Sequence, residues 1–129
     1  MGLAHNGDYL YIASEEEYIC NYVEYCVSDS AEVYLPFGGV SGDIFDIAYD
    51  AGDIWLAWDN IDQPLQKFDE TGLVVDFVTS SVIERAHGLT MDDSGYLWVS
   101  DMETDSIYMI QIVSSLQQTT WGNIKRANN

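Results

Sequence analysis

The sequence predicts an all-β chain assembled from copies of one small antiparallel sheet, and three observations carry that expectation. Aromatic residues are abundant, with nine Tyr and four Trp against two Pro, a mixture that suits pleated, half-buried strands better than helices. Tight turns rich in Gly, Asp and Asn punctuate short apolar stretches. One stretch, GLTMDDSGYLWVSD from Gly88, occurs three times in related form.

The other two copies are GLAHNGDYLYIAS from Gly2 and DIAYDAGDIWLAWD from Asp46. Leu10, Ile54 and Leu97 correspond, followed by Tyr11, Trp55 and Trp98, then Ile12, Leu56 and Val99, and the small residues Ala13, Ala57 and Ser100. The offsets are 44 and 43 residues, with one extra residue in the third turn. A period of this length fits one four-stranded sheet per repeat, stacked radially as a propeller blade. In the second repeat DIAYD is the expected first strand, DIWLAWD the second, PLQKFD the third and LVVDFVTS the fourth. In the first repeat YICNYVEY takes the third place and EVYLPF the fourth, and in the third repeat SIYMIQIV is the third strand. The second strands are nearly continuously apolar, as expected of sheets covered on both faces. A small residue after each apolar triplet leaves room for close approach of neighbouring sheets.

The third copy, through Gly88, Leu89, Asp92, Gly95, Leu97, Trp98, Val99, Asp101, Ile107 and Ile110, resembles the NHL repeat and the related streptogramin-lyase-type blade. The resemblance covers roughly residues 2–113. It implies a β-propeller in which Gly2–His5, Asp46–Tyr49 and Gly88–Met91 line a central channel. It says little about function, since such propellers host lyases, lactonases, sensors and interaction modules. The expected organisation is a single three-bladed half-propeller over 1–124, with blades at about 1–40, 41–82 and 83–124, and a polar tail at 125–129. Residues 114–124, SSLQQTTWGNI, are the expected source of the missing fourth strand of the third blade or of a clasp on a partner. Complete propellers have about four to eight blades, so either a homodimer closes a six-bladed ring or the chain is a piece of a longer propeller.

Composition narrows the function classes. Apolar residues make up 47% of 129, enough for one domain with a core. No apolar run approaches the roughly 20 residues of a membrane span, and no basic, apolar leader opens the chain. A net charge of −18, from 22 acids and four bases, repels phosphate backbones and argues against nucleic-acid partners. The same charge suits solubility, salt adaptation or divalent-cation binding. Cys20 and Cys26 do not have a zinc spacing. They are either free thiols or one local disulfide across a bend, which would point to a secreted or cell-surface location.

Three sets of residues are candidates for chemistry. By the resemblance, a histidine at the channel mouth acts as general base in the lyases, and His87 is the position that matches, with Glu84 or Asp46 as helper. His5 falls toward the opposite end of the channel, so the two histidines are not expected to share a metal. The acids Glu15, Asp59 and Asp101 occupy similar places in the three repeats and could form a carboxylate ring that holds Ca²⁺, although no EF-hand pattern is present. Turn acids such as Asp92 have a simpler use, bonding their own backbone. Trp58, at a strand end, is the aromatic expected to reach a surface and stack on a ligand, with His87 and Asp46 beside it. The sequence thus favours a non-enzymatic binding or structural module that self-associates, the alternative being a lyase or lactonase-type enzyme with a divalent metal at the channel mouth.

Overall fold

The computed structural model describes residues 2–16, 19–26, 32–36, 42–111 and 125–126, with side chains for 2–13 and 42–111. All regular structure among the described residues is strand. In chain order these are β1 (Gly2–His5), β2 (Tyr9–Glu16), β3 (Ile19–Cys26), β4 (Glu32–Pro36), β5 (Ile44–Asp50), β6 (Asp53–Trp58), β7 (Leu65–Phe68), β8 (Val74–Val78), β9 (Ala86–Met91), β10 (Tyr96–Asp101), β11 (Ser106–Gln111) and β12 (Lys125–Arg126). They form three antiparallel meanders, β1-β2-β3-β4, β5-β6-β7-β8 and β9-β10-β11-β12. Each is an open sheet. Among the described residues no helix is long and apolar enough to cross a membrane.

The turns follow from local chemistry. Ala51 and Gly52 both have positive φ, 49° and 100°, and the flanking Asp50 and Asp53 pair directly. This is the geometry of a two-residue hairpin whose twist matches that of its strands. In the third sheet Asp92 Oδ1 accepts the N–H of Ser94 at 2.8 Å and of Tyr96 at 3.0 Å, closing the DDSG turn. Asn6 does the same in the first, accepting from Asp8 at 3.1 Å and Tyr9 at 2.9 Å. The other end of each turn side chain reaches the aromatic of the second strand. Asn6 Nδ2 donates to the Tyr11 hydroxyl (3.0 Å), while the indole N–H of Trp55 donates to Asp50 (3.2 Å) and that of Trp98 to Asp92 (2.9 Å). The repeat is therefore structural as well as sequential: in each sheet a turn residue pins the ring that follows it.

The sheets stack face to face with β1, β5 and β9 side by side and β5 in the middle. One core cluster joins Tyr11 and Ala13 of the first sheet to Ile47, Ile54, Leu56, Trp58 and Phe68 of the second. A second joins Ala48, Trp55, Ala57, Leu65 and Val78 of the second sheet to Leu89, Leu97, Val99 and Ile110 of the third. Both junctions use one pattern. The aromatic-and-small face of one second strand meets the aliphatic face of the next. Across the first junction Tyr11 and Tyr49 stack at 5.2 Å. Approach is tight at Gly2, where an added Cβ would lie 2.6 Å from the Ile47 nitrogen.

Two sequence expectations are corrected here. Cys20 and Cys26 lie on one strand, β3, not on the two arms of a bend. Six residues of strand span about 20 Å, far beyond the ~7 Å Cα separation a disulfide tolerates, so this backbone does not suit a local bridge between them. Lys125 and Arg126, expected in a polar tail, pair as β12 with Met109 and Tyr108 of β11. The expected role of 114–124 lies outside the described residues.

Replacing Leu56, fully buried between the first and second sheets, by Ala should cost about 2–5 kcal/mol. Ile61→Ala, at a residue 86% exposed, should stay within about 0.5 kcal/mol. Urea unfolding of the two variants measures the contrast.

Candidate functional site

Each first strand is the edge of its own sheet, so one row of its peptide groups lies outside the sheet ladder. The three strands share a concavity of about 130 Å³ lined by Leu3, Ala4 and His5, by Ile47, Ala48 and Tyr49, and by Leu89, Thr90 and Met91. Equivalent positions of the three repeats thus surround one space. His5 is exposed at the end of this concavity.

Asp46 spans the second and third sheets. One carboxylate oxygen accepts the N–H of Ile47 at 2.9 Å and the other that of Leu89 at 2.8 Å. Its carboxylate is thereby committed to holding β5 against β9, which accounts for an acid at a position that is Gly2 and Gly88 in the other repeats. It lines a wider groove of about 300 Å³, with Thr90, Trp98, Ser100 and Ile107, on the outer face of the third sheet.

His87 lies on β9, exposed, with its ring stacked on Phe45 at 5.0 Å. The Arg85 guanidinium lies 5.7 Å from the same Phe45 ring. Phe45 and His87 are equivalent residues of consecutive repeats, so strand-to-strand stacking brings them together. The carboxylate of one expected helper, Asp46, is held by the Ile47 and Leu89 backbone, and Glu84 is exposed, with its main-chain N–H bound to Asp101. His5 shares its end of the concavity with Met91, four residues along β9 from His87.

Trp58 and Asp101 are placed differently from their sequence expectation. Trp58 does not reach a surface. It is 7% exposed, and its indole N–H donates to Gln66 at 2.8 Å. Alternation along β6 puts it on the same face as Ile54 and Leu56, which the first sheet covers. Gln66 in turn donates to Gln63 at 2.8 Å. Asp101 is only 2% exposed, and its carboxylate collects N–H groups from both sides of a crossing. Glu84 donates at 2.9 Å and Arg85 at 3.2 Å from the approach to β9, and Glu103 at 3.0 Å from the turn after β10. Such a carboxylate is a loop clamp, not an open metal ligand. Asp59 is exposed, and Glu15's side chain lies outside the described residues. Among the described residues no group of three or more His, Cys, Asp or Glu side chains is gathered as a metal site. Lys67, bonded to Asp50 at 3.0 Å and near Asp53 at 3.6 Å, lies over the Trp55 ring and belongs to the packing.

The sequence reading missed the clamping roles of Asp46 and Asp101. The signal for Asp101 was present as an acid closing a strand and followed at once by the METDS turn. No known family model matches the chain, and no curated protein matches it in sequence.

The bond from the Trp98 indole, with those from the Tyr96, Ser94 and Gly95 backbone, holds the Asp92 carboxyl below the 3.8 of an unperturbed aspartate. Since the folded value is the lower one, this network stabilises the fold fully above about pH 3.9 and is lost as pH falls through the folded value. Carboxyl ¹³C titration should give Asp92 a midpoint below that of the urea-unfolded chain. In Trp98→Phe the midpoint should move back toward the unfolded value.

Proposed function

We propose that the three sheets are blades of an NHL-like β-propeller and that the chain is a binding or structural module. It completes its ring by self-association, with two copies supplying six blades. The observation that carries this reading is the shared concavity of β1, β5 and β9, one strand from each repeat at equivalent positions. Radial stacking of blades brings inner strands together in this way. Three blades are fewer than a ring requires. Among the described residues, the first and third sheets each keep one face that no neighbouring sheet covers in the way the middle sheet is covered. The role in binding falls to the channel mouth, where His5, Tyr49 and Met91 meet. The surplus of acids serves solubility and repels nucleic acid.

Light scattering coupled to size exclusion should give a mass twice the 14.5 kDa of one chain. Because each copy carries −18, added salt should shift the equilibrium further toward the pair by screening repulsion. A single-chain mass at every concentration and ionic strength contradicts the proposal.

A further inference from the structure

Resting on that self-association, we infer which surfaces meet. The Trp98, Ser100 and Ile107 face of the third sheet in one copy receives the Leu3, Leu10 and Ile12 face of the first sheet in the other. The same junction then forms a second time with the copies exchanged.

Repeat-equivalent residues differ in exposure according to whether a neighbouring sheet faces them. Where a sheet has a neighbour, its facing residues are sealed: Trp55, Ala57 and Leu65 are all 0% exposed on the second sheet, against Leu97 and Val99 at 0% and Leu89 at 8% on the third. At the free end of the stack the matching residues are open. Ile107, the counterpart of Leu65, is 43% exposed, and Trp98 and Ser100, the counterparts of Trp55 and Ala57, are only partly covered. Together with Thr90 they line the groove of about 300 Å³. At the other end Leu3, the counterpart of Ile47 and Leu89, is 63% exposed, and Leu10 and Ile12 are partly covered where Ile54 and Leu56 are sealed. The exposed apolar surface is therefore not scattered among these positions. Among these repeat-equivalent positions the open ones fall on the two outward faces, one of the aromatic-and-small type and one of the aliphatic type, which is the pairing both internal junctions already use; Leu73, Val74, Val75 and Phe77, on and beside β8, are exposed as well.

Asp46 is the one charged residue lining the groove, and its carboxylate is already bound by the Ile47 and Leu89 N–H groups. Leu3, Leu10 and Ile12 are uncharged, so two strongly acidic chains can meet there without setting free like charges against each other. A face of either type meeting its own kind would not reproduce the internal junction. The occupant of each face is accordingly the opposite end of a second copy.

The test uses the full chain and two single variants, Ile107→Lys and Leu3→Glu, both at exposed residues and both checked for wild-type circular dichroism. Leu73→Glu, at a residue 64% exposed and away from both faces, is the control. Each of the first two variants alone should weaken pairing at least about tenfold, and Ile107→Lys should do so although it lowers the net negative charge. The control should pair as wild type does. An equimolar mixture of the two variants should regain the two-chain mass, because it rebuilds one native junction and places the introduced ammonium opposite the introduced carboxylate at the other.

Sensitivity to Ile107→Lys with indifference to Leu3→Glu would mean the third-sheet faces meet each other, and would overturn the inference. So would a wild-type pair that neither variant weakens, or a mixture no better paired than its components. In those cases self-association stands and only the choice of faces fails. A wild type that is a single chain at all concentrations removes the self-association reading itself.

Discussion

The burial of the middle sheet on both faces is the constraint on which the rest of the structure depends. A sheet with one wet face alternates apolar and polar residues, and β6 does not: Ile54, Trp55, Leu56, Ala57 and Trp58 are all buried. The two faces of β6 are nevertheless different. Ile54, Leu56 and Trp58 meet Tyr11 and Ala13, while Trp55 and Ala57 meet the aliphatic face of β10. That asymmetry gives the stack a direction, and direction is what allows a repeat to continue rather than pair off with its mirror face. Small residues at Ala13 and Ala57 and the bare Cα of Gly2 set how near the sheets come.

Carboxylates do much of the polar construction. Asp50 and Asp92 bind the indole of the following strand, Asp46 links two sheets, and Asp101 gathers a loop and a turn. Each satisfies backbone or indole N–H groups that burial would otherwise leave costly. A chain with 22 acids thus uses several of its acids as internal acceptors. An acidic position in this sequence is therefore not evidence of a metal site until its hydrogen bonds have been accounted for.

The repeat, the meander order and nearly every strand were legible in the sequence, because period-spaced Leu-Trp-Val triplets and Gly-bearing turns are local signals. The candidate site was much less so, for physical reasons that differ by residue. Trp58 reads as a strand end, but only the neighbouring sheet shows that its face is covered. Asp101 reads like a rim acid, but its partners Glu84 and Arg85 come from a crossing that local pattern does not encode. The cysteines suggested a bend because their spacing is short, yet β3 runs straight through both. Asp46 differs from its equivalents Gly2 and Gly88 in sequence, and its bond to Leu89 appears only when two repeats are set side by side.

The most direct measurement of the central claim is a set of nuclear Overhauser contacts in side-chain-labelled protein. The account predicts cross-peaks from the Trp55 indole to methyls of the third sheet's Leu97, Val99 or Ile110, and from the Tyr11 ring to methyls of Ile54 or Leu56. Contacts of Trp55 with the first sheet, or of Tyr11 with the third, would reverse the direction of stacking. Absence of any contact between sheets would mean that the three meanders do not pack as one body.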